Sequence, residues 1–452
     1  MRPMRFVLVD LTVASGKANR DHAGGFGAYM NASGASGRIV TWLKSRLVNI
    51  PIMSFGFAAA LLRQAGHEVV YSSGGAAEGD VFIVATSIHC HRQEMEHAQR
   101  LKQANPRSNI GYFGAFPTVR PEIFAGAGDF LVKGELEPAV LAFLRGEHQF
   151  QGPLGHGPLE DLRSLPAPDW EGLDLSRFNY FPLLRRRPIV TVQSSRGCPF
   201  ACDYCSYMPM QARRHRVRDP QAVAREVARN HDRHGVRDFL FRDICFTLNR
   251  DHALSLARAI RALRLDLQWA CETRIDRLDP ELMDTMQEAG WSGVNLGLES
   301  PDVESLARAG KQPPPLAQQE AVLQELAARG IRVNGFFLLG LEGDTPASMR
   351  ETIAYARRLN TLGAQFCILT PFPGTPLYDR LAPSLITDDF TRFNEYEPVV
   401  DIGTATPQEV AAAAREAYRY YSRAAWLRRH GWDVLQGLCV NLLLPPARGG
   451  GR

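Results

Sequence analysis

The sequence predicts an α/β protein built as two successive units, a doubly wound parallel sheet and then a partial (β/α)6 barrel, followed by a helical tail. Three observations carry that expectation. Short apolar runs alternate with helical stretches in both halves of the chain, the signature of parallel strands joined by crossover helices. A proline-rich stretch with few periodic apolar positions divides the halves. Late in the chain the alternation stops and helical periodicity takes over. With 452 residues, 45% apolar and 22% charged, the chain can bury sizeable cores, which excludes a disordered chain or a miniature scaffold. The expected units are 1–147, a connector at 148–188, the barrel at 189–385 and the helical region at 386–452.

In the first unit, strands are expected at 5–11, 67–71, 81–86, 110–113 and 130–132, with helices at 55–65, 94–104 and 138–145. A Gly-rich stretch (Gly24, Gly25, Gly27, Gly34, Gly37) lies between the first strand and the first helix. It reads either as flexible loop or as a loop facing a ligand, because parallel sheets bind ligands at this end of their strands. His89, His91 and His97 could hold a metal, but a solvated loop or the start of a helix explains them better.

In the second unit, strands are expected at 189–193, 238–241, 267–271, 293–298, 333–339 and 364–369, with helices at 222–231, 253–264, 280–290, 316–330 and 346–359. Six repeats are too few for an eight-stranded barrel, so the barrel stays open, with its site at the C-terminal strand ends. Arg185, Arg186 and Arg187 at its entrance suit an anionic or large apolar molecule, and equally a solvated surface. In the tail, Tyr418, Tyr420, Tyr421, Trp426 and Trp432 are expected to pack on the barrel mouth in preference to a membrane surface. The run 438–444 is too short to span a bilayer.

Basic residues exceed acidic ones by 4, and the arginines are spread along the whole chain, so no nucleic-acid partner is expected. The apolar run at 6–9 is too short for a signal peptide, which makes a cytoplasmic location the expectation. Of eight cysteines, Cys198, Cys202 and Cys205 fall together in SSRGCPFACDYCSY, a spacing that reads as metal ligation. Three thiolates can hold three irons of a 4Fe-4S cluster and leave the fourth open. Zinc is the weaker reading, since no second ligand pair follows. Cys90, Cys245, Cys271, Cys367 and Cys439 read as small buried hydrophobes.

The CxxxCxxC spacing, with Tyr204 before its last cysteine, resembles the signature of the radical SAM superfamily. The resemblance implies that S-adenosylmethionine chelates the open iron, and that reduction of the cluster yields methionine and a 5′-deoxyadenosyl radical. Five further segments are similar: FRDICFTLN with Asp243, CETRID with Arg274, NLGLES with Glu299, NGFFLLGLEGDT with Gly340, and TPFPGTPLY with Pro373. It therefore implies a SAM pocket from Tyr204, Asp243, Arg274, Glu299, Gly340 and Pro373, with Arg274 on the carboxylate and Glu299 on a ribose hydroxyl. Glu342 and Asp344 stand where Pro and Glu are more usual. Taken singly, Asp243, Arg274 and Glu299 suit surface ion pairs as well.

A doubly wound domain before such a barrel resembles the cobalamin-dependent radical SAM enzymes. ATSIHC with Ser87, YFGAFPT with Gly114 and Thr118, GDFLVKGELEP with Glu135, and the connector LPAPDW carry this resemblance. It implies a cobalamin site at Ser87, Gly114, Thr118 and Glu135. The DxHxxG motif that supplies a histidine to cobalt is absent, because Asp21-His22-Ala23-Gly24 has the wrong spacing. Cobalt is then bound without a protein histidine, or the fold is kept without cobalamin.

The implied activity is methyl transfer to an unactivated carbon of a small-molecule, natural-product or lipid substrate, with 4Fe-4S, S-adenosylmethionine and cobalamin as cofactors. A flavodoxin or ferredoxin would donate electrons. An oxidative cyclase or oxidoreductase is the alternative, and an iron-sulfur electron carrier or regulatory module a third. No catalytic acid or base stands out.

Overall fold

The computed structural model describes residues 2–11, 26 and 30–443. Its first sheet holds six parallel strands: β1 (Arg5–Val9), β2 (Glu68–Ser72), β3 (Val81–Ala85), β4 (Asn109–Phe113), β5 (Phe130–Lys133) and β6 (Gly152–Gly155). Their spatial order is β2-β1-β3-β4-β5-β6. Phe6 to Val9 and all of β3 are buried, the continuous apolar runs that strands covered on both faces require. Strand order reverses between β1 and β3, so the crevice at their C-terminal ends is where such a sheet takes a ligand.

Two elements of this unit depart from the expectation. Strand β6 lies inside the stretch read as connector, because Gly-Pro-Leu-Gly carries no strand periodicity. It is an edge strand, where a proline without an N–H is tolerated. Helix Gly34–Leu47 occupies the later part of the Gly-rich stretch, its first turn hidden by Gly34 and Gly37. Gly24, Gly25, Gly27, the Asp21–Gly24 motif and Leu444 lie outside the described residues.

The second sheet is β7 (Ile189–Val192), β8 (Asp238–Phe241), β9 (Gln268–Thr273), β10 (Trp291–Glu299), β11 (Arg332–Leu339) and β12 (Gly363–Ile368). All are parallel and neighbours follow sequence order, the expected open (β/α)6 arrangement. Its crossover helices begin at clear signals. Asp219 and Asp279 cap Pro220–His234 and Pro280–Glu288, and Thr345 with Ser348 forms a capping box on Pro346–Leu359.

Because the barrel stays open, β12 is an edge whose backbone groups need partners. The aromatic tail supplies them. Tyr418 Oη donates to the Phe366 carbonyl at 3.0 Å, while Tyr421 Oη donates to the Ala364 carbonyl and accepts from its N–H, both at 2.8 Å. Just ahead of the strand, Tyr420 Oη donates to the Thr361 carbonyl at 2.6 Å and Trp426 Nε1 to that of Leu362 at 3.1 Å. Tyr418, Tyr420 and Trp426 are buried, as packing on the barrel requires, but Trp432 is exposed. Arg185 pairs with Asp433 at 2.8 Å and Arg186 with buried Asp238 at 2.6 Å, so these two arginines are tied into the structure.

Four buried side chains fasten the two units together. Glu135 and Glu137, at the start of helix Leu136–Leu144, meet Arg196 and Arg216 from a short hairpin, Ser195–Arg196 with Arg216–Val217, that follows β7. Arg196 forks onto Glu137 at 2.7 and 3.1 Å and reaches Glu135 at 3.1 Å, and Arg216 holds Glu135 at 2.8 Å. A bidentate pair offsets the cost of desolvation, but loss of one carboxylate strands a buried cation. Glu137→Ala is therefore expected to destabilise the fold by about 3 kcal/mol, read as a lower midpoint in denaturant unfolding. Glu147→Ala, from the exposed Arg145–Glu147 pair, is expected to leave that midpoint unchanged.

Candidate active site

Residues 197–215 connect the strands of that hairpin, and the three clustered cysteines lie in this connection. Gly197 sets its entry: φ is +82°, and a Cβ there would sit 2.0 Å from the Arg214 carbonyl oxygen, so a side chain is excluded. Asp203 N–H donates to the Ala309 carbonyl at 3.0 Å and its carbonyl accepts from Leu377 N–H at 3.2 Å, which ties the loop to later barrel loops. Cys198, Cys202 and Cys205 all line one cavity of about 630 Å³, bounded by strands β9 to β12, helix Gly34–Leu47 and the tail.

Burial raises the pKa of all three thiols, that of Cys205 to about 12. Lys311 pulls Cys202 the other way, and Arg274 does the same for Cys198 and Cys202. A thiolate is costly in this wall unless a cation joins it, so metal binding there releases protons. Among the described residues no three His, Cys, Asp or Glu side chains form the shell of a single ion. The thiols instead share one space, which suits a cluster that takes one thiolate per iron.

Charged groups meet the thiols. Arg274, just after β9, lies 4.1 Å from the centre of the Phe200 ring, between Cys198 and Cys202 in sequence. It donates to Asp276 at 2.8 and 3.0 Å and to the Gln312 carbonyl at 2.9 Å. Glu299 ends β10 in the left-handed region, φ +49°, where the β10–β11 register shifts. Its carboxylate accepts from the Lys311 ammonium, which also donates to the Gly297 carbonyl at 2.9 Å. Gly297 leaves room for this pair, since a Cβ there would lie 2.5 Å from a Glu299 carboxylate oxygen. Tyr204 lines the same wall, and its burial holds the phenol well above its usual pKa.

Six expected residues thus converge: Cys198, Cys202, Cys205, Tyr204, Arg274 and Glu299. Others lie elsewhere. Asp243 is buried and accepts from the Ser194 and Ser195 hydroxyls at 2.8 and 2.6 Å, so it holds the segment that launches the cysteine loop. The N–H groups of Gly340 and Leu341 both donate to Asp344 at 2.9 Å, a loop that folds around its own carboxylate. Pro373 is buried beside Phe372, and it is Phe372 that lines the cavity.

In the first unit, Ser87 follows β3 at the crevice and its hydroxyl donates to Glu94 at 3.0 Å. Gly114 follows β4, and its carbonyl accepts from the Thr118 hydroxyl at 2.7 Å. Glu135 is engaged by Arg196 and Arg216 in the cluster between the units, next to Gly134, whose N–H donates to the Thr118 hydroxyl at 3.0 Å. His91 begins helix His91–Ala104 and His97 lies within it, the helix-start reading, but both are buried instead of solvated, and burial lowers the pKa of both. Cys90, Cys245, Cys271 and Cys367 are buried as expected, but Cys439 is exposed.

Sequence reasoning missed Lys311, and it missed a second polar group at the cavity: Lys44, Gln365, Cys367 and Glu395. Lys44 donates to Gln365 at 2.5 Å, and the Cys367 thiol lies 3.6 Å from the Glu395 carboxylate. A signal was available. The chain has five lysines among 52 basic residues, and two of the five line this cavity. Where arginine is the default cation, a lysine marks a place for a compact ammonium whose pKa can be shifted.

Comparison with known proteins gives three kinds of likeness. The Radical SAM superfamily model matches residues 192–356. An uncharacterised methyltransferase of Pyrococcus horikoshii is 28% identical over 288 residues, 62% of this chain and 62% of that one. An anaerobic magnesium-protoporphyrin IX monomethyl ester cyclase of Rubrivivax gelatinosus is 28% identical over 274 residues, 60% of this chain and 48% of that one. The matched part thus spans less than two thirds of either relative. Among solved structures, the radical S-adenosylmethionine methyltransferase TsrM of Kitasatospora setae, with cobalamin and a 4Fe-4S cluster bound, superposes with a TM-score of 0.62. The match covers 96% of this chain and 91% of TsrM at 15% identity, a likeness of fold.

Burial lowers the Lys44 pKa from 10.5 to about 8, with Cys367 and Glu395 pulling it back up. Between those values the folded chain binds fewer protons at this site than the unfolded chain. This site's penalty on stability is therefore full below pH 8 and is relieved as pH rises through the window. In NMR of the lysine-labelled chain without added cofactors, one amine is expected to titrate near pH 8, and Glu395→Gln to move that midpoint lower. Five amines that all titrate near 10.5 would refute this placement.

Proposed function

We infer, from a chain whose residues 192–356 match the Radical SAM superfamily model and whose fold resembles that of a radical S-adenosylmethionine methyltransferase with cobalamin bound, that it is a cobalamin-dependent radical SAM C-methyltransferase. One observation carries the reading: three thiols of a single loop, Arg274, Glu299 and Lys311 line one cavity at the C-terminal ends of barrel strands.

The residues fit the groups this activity needs. Three thiols around a shared space suit a 4Fe-4S cluster with one open iron. Arg274 beside a Glu299–Lys311 pair offers both signs of charge, as the zwitterionic end of S-adenosylmethionine requires. The crevice after β1 and β3, flanked by Ser87, is the ligand position of a doubly wound sheet and suits cobalamin, with Gly114 and Thr118 at the next strand end. Bound in these places, the cluster supplies an electron for cleavage of S-adenosylmethionine and cobalamin supplies a methyl carrier.

The chain's own side chains do the positioning. Asp276 and Phe200 hold Arg274 in one orientation, ready for a carboxylate. Lys311 fixes Glu299 as an acceptor for a ribose hydroxyl or an ammonium. Leu43, Phe181, Phe336, Leu338 and Trp426 give the rest of the cavity an apolar wall that keeps water from a reactive centre. The substrate is accordingly a small molecule with a largely apolar body, and a one-electron donor such as a flavodoxin or ferredoxin feeds the cluster.

Anaerobic reconstitution is expected to give about four iron and four sulfide per chain. Cys202→Ala is expected to lose iron and all 5′-deoxyadenosine formation while it retains cobalamin. Uptake of zinc in place of iron by the native chain would overturn the cluster reading. In a second experiment, the reduced, cobalamin-loaded protein is given S-adenosylmethionine labelled on its methyl group. Label on cobalamin, matched by S-adenosylhomocysteine, is the expected result. Deoxyadenosine without adenosylhomocysteine or transferred label would instead favour a cyclase or oxidoreductase, the reading that the similarity to the Rubrivivax cyclase supports.

A further inference from the structure

We propose that helices Gly34–Leu47 and Ala424–Leu443 together form a docking face for an anionic lipid bilayer, and that the cavity opens through this face. Of the eight large apolar side chains exposed among the described residues, six are carried by these two helices, Ile39, Trp42, Leu427, Trp432, Leu435 and Val440, and only Val303 and Ile386 lie elsewhere. Trp432 is 71% exposed and Ile39 61%. The helix Ala424–Leu443 turns its packing face inward: Trp426 donates to the Leu362 carbonyl, Asn441 to the Arg185 carbonyl, and Gly437 abuts Phe181. Its outward face should then be polar, but it presents Leu427, Trp432 and Leu435 beside Arg428 and Arg429.

The same two helices wall the cavity. Val40, Leu43 and Lys44 come from the first and Trp426 and Val434 from the second. Ile39 both lines the cavity and is mostly exposed, so the cavity reaches the surface beside this side chain.

Charge decides between occupants. Helix Gly34–Leu47 exposes Arg38 and Arg46 and carries no acid, its Lys44 being turned into the cavity, and the Arg46 guanidinium lies 4.4 Å over the Trp42 ring. In Ala424–Leu443 the lone acid, Asp433, is paired with Arg185. A second copy would bring arginine against arginine, whereas an anionic surface meets them with opposite charge. Tryptophan and arginine around an apolar centre are the residues that settle at the headgroup level. No helix among the described residues is long and apolar enough to cross a membrane, so the contact is peripheral. The docking stands on this surface alone; that an apolar substrate enters from the bilayer rests on the proposed function.

The full chain is mixed with phosphatidylcholine vesicles, with and without phosphatidylglycerol, and floated on a density gradient. It is expected to float with the anionic vesicles, several-fold less with phosphatidylcholine alone, and less again when salt rises from about 0.1 M to about 1 M. Trp432→Glu combined with Leu435→Glu is expected to lower the bound fraction about ten-fold, and Val303→Glu to leave it unchanged. Circular dichroism checks that the variants fold. A chain that stays unbound with every vesicle, or a double variant that floats like the native chain, would overturn the proposal. So would a dimer in sedimentation that the double variant splits in the absence of flotation. Methyl labelling of cobalamin, measured without vesicles, reports on the proposed function separately, so either reading can fail alone.

Discussion

A barrel that stops at six strands leaves its last strand bare, and the exposed amides and carbonyls of that strand constrain much of what surrounds it. The chain meets the constraint with side chains. Three tyrosines and a tryptophan reach from the tail to the backbone of 361–366, Tyr418 and Tyr421 onto the strand itself and Tyr420 and Trp426 onto the residues just ahead of it. Because the cover is aromatic, it does more than satisfy polar groups: Tyr421 and Trp426 also become wall of the cavity beside β12. A closed eight-stranded barrel would have filled this space with two further strands. Here it is open, and helix Gly34–Leu47 of the other unit completes it.

The opposite end of the sheet is governed by charge. The cysteine loop leaves from β7, and the residues around its departure are all engaged: Ser194 and Ser195 with Asp243, Arg196 with Glu137, Gly197 with the Gln211 side chain. A loop that must present three thiols to one object tolerates little drift, and these bonds remove most of its freedom before any thiol is reached. Of the carboxylates that hold it, Asp243 belongs to the barrel and Glu137 to the first unit. Domain packing and thiol geometry are therefore one problem, and the buried arginines solve both.

The legible parts of the sequence were those where one physical requirement dictates residue type. Buried parallel strands need apolar runs and crossover helices need caps, so all six barrel strands could be placed within a few residues. Three thiols in one short loop admit few uses. Strand β6 and helix Gly34–Leu47 were illegible because glycine carries no periodicity. Asp243 and Glu135 show a different limit: a motif names the residue but not the hydroxyls and arginines that a distant segment brings to it. Lys311 and Lys44 were hidden for the reverse reason, since no motif surrounds them and their rarity was the one clue.

The tail that covers β12 has a consequence in time. Ile368 leaves the ribosome well before Tyr418, and at roughly 5–20 residues per second the strand waits several seconds for its partners. Through that interval the nascent barrel carries a bare apolar edge, the kind of surface on which chains pair wrongly. Productive folding thus depends on a segment made after the barrel as much as on the core, and slow synthesis between residues 368 and 418 becomes a hazard that chaperones must cover.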